Sequence, residues 1–326
     1  MKNDNFILIT EPKLYSKKAI KIYSNMFSIL FANTKSDLYT IDSKKATNIL
    51  GIVIRLNYYI DKDFLSNFPN LKFIASPTTG LTHIDLKYLS TTKIKLYTLN
   101  DCKDKIKNVS STTELTIGLI INLTRHIPYY IDEVNEESSW NREKYLGTQL
   151  RGKKLGLVGL GRIGKGIANI CNVFGMSVIA FDPNIEKKSF KECNAESVDF
   201  ETLIKDSDII SIHASYTKES YQLFNKKELN MMKRGSYLIN TSRGEFINEM
   251  ELALLIENGH ISGCGLDVLD NELVAINSLT NHPLIKLAKK GFNVIITPHI
   301  GGCTYEAMRE TEEILASYVS NELYLI

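Results

Sequence analysis

The stretch that decides the fold is Leu155-Gly156-Leu157-Val158-Gly159-Leu160-Gly161-Arg162-Ile163-Gly164. A short apolar run is followed by three glycines spaced G-x-G-x-x-G, and the next residues, Ile167 to Phe174, are apolar at helical spacing. The pattern reads as strand, tight turn, helix. Gly159 permits the turn, Gly161 lets a pyrophosphate approach the backbone, and Gly164 lets the helix pack close to the strand. The helix then aims its free N–H groups and positive dipole end at the phosphates.

Three glycines alone can mark a surface turn. Here a second apolar run, Met176 to Phe181, ends in Asp182, about 20 residues on, where an acid that binds ribose belongs. Asp182-Pro183-Asn184 is also good turn chemistry, and both readings hold together. An acid accepts from the ribose hydroxyls and repels a 2′-phosphate. With no arginine immediately after it, NAD is favoured over NADP.

Working outward, 326 residues suit two domains, and a 44% hydrophobic content supplies large cores. A net charge of +2 gives no electrostatic case for nucleic acid or for a membrane surface. The five cysteines are widely spaced with no C-x-x-C pair, which fits reduced thiols in a cytoplasmic protein. No metal-ligand spacing stands out. The start of the chain is too short in apolar residues for a signal peptide, and the run Leu115 to Leu123 is too short to span a bilayer.

Strand-like runs at Phe6 to Thr10, Ile49 to Ile54, Leu71 to Ala75 and Ile94 to Tyr97 alternate with helical ones at Tyr15 to Met26, Phe64 to Phe68 and Ile84 to Leu89. That alternation implies parallel βαβ units, so residues 1–103 form a small α/β domain. Asp101 to Asn108 is polar and marks a crossing point. Ser111-Thr112-Thr113-Glu114 has the form of a capping box at the head of a long apolar helix, which Pro128 should kink or end. The polar arm Glu133 to Gly147 holds the only tryptophan, Trp140, as either a partner surface or a local anchor. Residues 104–297 then alternate strand and helix in the manner of a doubly wound sheet, and Ala307 to Tyr318 reads as a last helix.

In such a sheet ligands sit outside the carboxyl ends of the strands. His213, Arg243, Asp267 and His299 each follow an apolar strand run, and Glu272 lies just beyond Asp267. Singly each has an ordinary role as turn residue, cap or solvated charge. At one rim of one sheet they suit transfer of a hydride between nicotinamide and a carbinol carbon. His299 supplies an acid/base group that works near neutral pH, Glu272 holds its ring, and Arg243 binds a carboxylate bidentately and polarises the adjacent carbonyl.

At this point the chain resembles the NAD-dependent D-2-hydroxyacid dehydrogenases over nearly its whole length. The matching pieces, in order, are Thr79-Gly80-Leu81-Thr82-His83-Ile84-Asp85, Gly152 to Gly156 leading into the glycine fingerprint, Asn240-Thr241-Ser242-Arg243-Gly244, Gly265-Leu266-Asp267-Val268 and Thr297-Pro298-His299-Ile300-Gly301-Gly302. The resemblance implies two doubly wound parallel-sheet domains, a Rossmann dinucleotide-binding domain inserted into a flavodoxin-like substrate domain that residues 298–326 complete. It implies Arg243, Glu272 and His299 as the catalytic triad. Around the cofactor it implies Thr79, Arg162, Ile163, His213, Ala214, Thr241, Asp267 and Gly301, beside Gly159, Gly161, Gly164 and Asp182. For the substrate it implies Arg55, Thr78, Thr79 and Gly80 together with Arg243 and His299, with Pro77 to Gly80 offering backbone N–H groups to a carboxylate. The Trp140 arm is expected in a homodimer interface.

Two departures stand out. The family usually has H-x-P where this chain has His213-Ala214-Ser215, and often proline where Leu273 follows Glu272. Phosphoglycerate dehydrogenases use two arginines for the phosphate; Arg55 matches one, and Ser76 stands where the second would be. A phosphorylated substrate is therefore not favoured. A second class of function, an NAD-responsive protein-binding module, shares this fold, and a third, another Rossmann enzyme such as a methyltransferase, would have no use for the His299–Glu272 pair.

Overall fold

The computed structural model of the chain describes residues 4–136, 138–272 and 276–324. The chain divides into two compact units, Met1–Val109 with Cys303–Ile326, and Ser110–Gly302. The divisions fall beyond the expected ones at 103/104 and 297/298, for a local reason at each. Ile106 is buried in the core of the first unit with Val109 packed against it, so the polar crossing stays with that unit. The segment to Gly301 is tied by its backbone to Asp267 in the second.

The first unit is a five-stranded parallel sheet of β1 (Phe6–Thr10), β2 (Ser28–Ala32), β3 (Ile49–Val53), β4 (Phe73–Ser76) and β5 (Lys95–Thr98), in the order β2-β1-β3-β4-β5. Both faces are buried, which is why the strands read as continuous apolar runs rather than alternating ones. The last helix, Tyr305–Tyr324, places Leu315, Ala316 and Val319 in one of those cores, so the end of the chain completes the unit that the beginning started. β2 escapes a sequence reading because it is an edge strand in which only Ala32 is buried.

The second unit is a seven-stranded parallel sheet of β6 (Lys154–Val158), β7 (Ser177–Phe181), β8 (Glu196–Ser197), β9 (Ile209–Ile212), β10 (Ser236–Asn240), β11 (Ile261–Leu266) and β12 (Val294–Ile296). Their order is β12-β11-β10-β9-β6-β7-β8. The direction of winding reverses between β6 and β9, which opens a crevice at their carboxyl ends. The long apolar helix runs Ser111–Arg125 with Ser110 at its N-cap, one residue before the expected capping box. It stops because His126 turns left-handed (φ 52°). Pro128 lies in the first turn of a new helix, Ile127–Glu136, where proline lacks no partner.

Candidate active site

The glycine fingerprint joins β6 to the helix Arg162–Val173. Gly159 is left-handed (φ 93°), and a Cβ on it would meet the Ala214 nitrogen at 2.6 Å, so the loops after β6 and β9 touch through it. A Cβ on Gly164 would strike the Gly159 carbonyl oxygen at 2.3 Å, which fixes the helix against the strand. A Cβ on Gly161 would meet nothing within 4 Å: the space beside this helix N-cap is open, and no side chain caps the helix. That is the cradle a pyrophosphate needs. Arg162 and Ile163 form the first turn, half-buried, and burial pulls the Arg162 guanidinium below its ordinary range.

Asp182 follows β7 directly. Its carboxylate accepts from the Leu160 N–H (2.9 Å) and the Asn184 N–H (2.9 Å), so the fingerprint loop itself holds the acid at the edge of the crevice. Open space at Gly161 and a fixed carboxylate at the next strand end fit a dinucleotide. His213 follows β9; its ring meets Ser211 Oγ at 2.7 Å through Nε2, while buried Nδ1 has no partner. Burial drops its pKa to about 3, so the ring is neutral at physiological pH. The Ala214 carbonyl accepts from Ser242 Oγ (2.6 Å), and Thr241 Oγ1 lies 2.9 Å from Thr116 Oγ1, which locks the β10 loop to its neighbours.

Three neighbouring strands then bring the acid–base residues together. His299, three residues past β12, places Nδ1 2.7 Å from Glu272 Oε1, in the loop after β11. Both side chains keep some exposure, 22% and 31%. His299 sits at φ 54°, unusual for a residue with a Cβ, and is held there by an N–H bond to the Asp267 carbonyl (2.9 Å). Asp267 is only 1% exposed. Its carboxylate accepts from Thr297 Oγ1 (2.6 Å), the Ile300 N–H (2.8 Å) and the Gly301 N–H (2.7 Å), so it clamps both sides of His299. Burial pushes its pKa up, while these donors and the nearby His299 hold it down.

Arg243 leaves β10 in extended conformation and donates from Nη1 to the Ser242 carbonyl (2.6 Å). Burial lowers its pKa, and the Glu272 and Glu245 carboxylates act against that, so Arg243 shares the rim with Glu272. The turn that carries it needs Gly244. A Cβ there would lie 1.9 Å from the Leu269 carbonyl carbon, because the β10 and β11 loops press together at that point. Leu273 lies outside the described residues.

In the first unit, the Thr78 carbonyl accepts from the Leu99 N–H (3.2 Å) and the Thr79 carbonyl from Asn100 Nδ2 (2.8 Å). Thr78 Oγ1 donates to the Gly80 carbonyl (3.0 Å) and meets Ser76 Oγ at 2.8 Å. Arg55 sits two residues past β3 with its guanidinium on Glu312.

Residues 117–301 match the profile of the D-isomer specific 2-hydroxyacid dehydrogenase NAD binding domain. Glyoxylate reductase of Thermococcus litoralis is 34% identical over 307 residues, 92% of this chain and 88% of that one. D-3-phosphoglycerate dehydrogenase of Bacillus subtilis is 35% identical over 292 residues, 90% of this chain and 50% of that one, so the chain spans about half the length of that relative. The solved structure of D-lactate dehydrogenase from Aquifex aeolicus, complexed with NAD and lactic acid, superposes with a TM-score of 0.82 at 28% identity, covering 98% of this chain and 95% of that one. These likenesses and the rim geometry define a dinucleotide-binding α/β protein. The chain belongs to the D-isomer specific 2-hydroxyacid dehydrogenase family, and its cofactor is NAD.

Sequence reasoning missed three supporting residues. Gly244 and Thr297 stand inside quoted motifs, but their roles follow from contacts between loops distant in sequence. Glu312 left a readable signal, an acid three, four and seven positions from the buried Leu315, Ala316 and Val319 of one helix face.

Proposed function

We propose that the chain reversibly interconverts a small 2-oxo acid and its D-2-hydroxy acid. The observation that carries the reading is the His299 Nδ1–Glu272 Oε1 pair at 2.7 Å on the rim it shares with Arg243. Bound NAD, held by the Gly159–Gly164 loop and Asp182, would supply or take up the hydride. The Arg243 guanidinium binds the substrate carboxylate through its fork and draws charge from the adjacent carbonyl. His299 gives its Nε2 proton to the substrate oxygen in reduction and takes it back in oxidation. Glu272, bonded to Nδ1, fixes the orientation of the ring. Asp267 and the Gly244 turn hold these groups in place. Thr78 to Gly80 of the first unit, Thr241 and Gly301 are further contacts for substrate and cofactor under this reading.

We also propose a homodimer built on the arm around Trp140, which is 89% exposed, as is most of Leu146 (77%). A cytoplasmic location accords with the four buried thiols Cys102, Cys171, Cys193 and Cys264. None of the described helices is long and apolar enough to cross a membrane.

The test is loss of NADH absorbance with the purified chain against glyoxylate, pyruvate, hydroxypyruvate, phenylpyruvate and 3-phosphohydroxypyruvate, repeated with NADPH. Turnover of at least one 2-oxo acid with NADH is the expected result. NADH binding without turnover of any of them would contradict the reading and favour the protein-binding alternative.

A further inference from the structure

We propose that Glu312 sets the charge of the substrate. By pairing with Arg55 it closes the first unit's crevice to a second anionic group, so the chain prefers 2-oxo acids whose carboxylate is their only charge. The inference rests on the 2-oxo acid reading above and names a specificity-determining residue within it.

The first unit's strand order reverses between β1 and β3, and the carboxyl ends of those strands are where a sheet of this kind receives a ligand. Arg55 stands there with a guanidinium well suited to a phosphate or a second carboxylate. Its side chain is 18% exposed, and Glu312, at 1%, lies under it as an ion pair. The remaining faces are also occupied: Nη1 donates to the Lys13 carbonyl (3.3 Å), and the guanidinium carbon lies 5.2 Å from the centre of the Tyr15 ring.

A second carboxylate reinforces the arrangement. Glu11, just past β1, accepts from the Arg55 N–H (2.8 Å) and the Asn57 N–H (2.8 Å). Its backbone is left-handed (φ 57°), and so is that of Leu14 (φ 61°), both with side chains, so the turn is held in a costly conformation. Glu312 meanwhile accepts from the Ser16 N–H (2.7 Å) in that same turn. Burial raises the pKa of both acids while Arg55 lowers them. Glu312 therefore pairs with the guanidinium itself, while Glu11 holds the Arg55 backbone and adds a second negative charge nearby. Lys13 is exposed on the turn, and Lys18 pairs with Glu313 (2.9 Å). The neighbouring β4 rim presents the hydroxyls of Ser76 and Thr78.

A tie between the last helix and this turn needs no ion pair, since buried pairs add little stability over apolar contacts of the same size. The pair does change what the crevice binds. A phosphate that took Arg55 would leave Glu312 buried without its counter-charge, and the carboxylate would repel the newcomer. A substrate whose single carboxylate is its only charge makes no such demand.

The experiment compares kcat/KM with NADH for glyoxylate and 3-phosphohydroxypyruvate in the wild type, Glu312→Gln and Glu312→Gln/Arg55→Met. Glutamine keeps an acceptor for the Ser16 N–H and removes the charge. The wild type should favour glyoxylate. Glu312→Gln should shift the ratio toward the phosphorylated acid by about tenfold or more, the worth of one charged hydrogen bond, and the double variant should lose that gain. Calorimetry should show 3-phosphoglycerate binding about tenfold tighter to Glu312→Gln than to the wild type. A folded Glu312→Gln with an unshifted ratio and unchanged calorimetric affinity would overturn the proposal. So would a wild type that prefers 3-phosphohydroxypyruvate, whatever the variant does. Failure of the wild type to turn over any 2-oxo acid would sink the functional reading alone, because the calorimetric comparison still reports on Glu312.

Discussion

Each unit of the chain ends its parallel strands in a rim that carries an arginine, and the two arginines are treated in opposite ways. In the second unit Arg243 is held by a backbone carbonyl beside Glu245 and Glu272, while Asp267 clamps the loop that carries His299. In the first unit Arg55 is covered by a tyrosine ring and paired with a carboxylate buried to 1% exposure. Under the proposed reading one rim keeps acid–base and cationic groups for a reactant; the other pairs its cation with a buried carboxylate. A guanidinium at a strand end therefore does not by itself mark a ligand contact. What lies beneath it decides whether its charge is available.

The comparison can be broken at several points. Apart from His299, the largest effect should come from Arg243→Ala, which should lower kcat/KM by about 10²–10³-fold, the usual cost of removing a donor from a polarised carbonyl. Arg243→Lys should recover part of it, since the charge remains but the fork does not. NADH affinity, measured by fluorescence titration, should change far less. Equal loss of both would place Arg243 with the cofactor.

Asp267→Asn should cost about 3 kcal/mol in denaturant unfolding, because the two backbone donors on the His299 loop lose a charged acceptor. A similar effect should appear in wild-type acid stability. His213 is neutral when folded, with a pKa near 3 against 6.5 in the unfolded chain. Below pH 6.5 the unfolded state binds the extra proton, so stability falls as pH drops through the window from about 6.5 to about 3. At pH 4 the loss should be about 3 kcal/mol relative to pH 7, and His213→Gln should flatten that limb. An identical acid limb in the variant would remove His213 from the account.

Gly244→Ala should cost about 1–3 kcal/mol, because a Cβ 1.9 Å from the Leu269 carbonyl carbon forces two loops apart. It should reduce activity as well, through the displaced Arg243. The smallest effect should be Lys18→Ala. Its partner Glu313 is only half-buried and Lys18 is 71% exposed, so thermal unfolding should move by less than about 0.5 kcal/mol.

Much of this was legible in the sequence because the chemistry recurs at strand ends. The G-x-G-x-x-G turn, the acid at Asp182, and the sequence positions of Arg243, Glu272 and His299 are set by periodicity and local motif, and parallel sheets gather strand ends on one side. That both sheets are parallel followed from the same alternation. Less legible were features that depend on partners distant in sequence. β2 is an edge strand with little buried surface. The clamp from Asp267 to Ile300 and Gly301 spans more than thirty residues. Arg55 and Glu312 are 257 positions apart, so the arginine alone read as a substrate contact while its counter-charge went unnoticed.

The central claim is that the His299–Glu272 pair moves the proton. The most direct measurement is single-turnover NADH oxidation by His299→Asn with a turned-over 2-oxo acid, beside NADH affinity for the same variant. The account predicts a fall in rate of about 10²–10⁴-fold with NADH affinity retained. A His299→Asn variant that reduces the acid at the wild-type rate would contradict it.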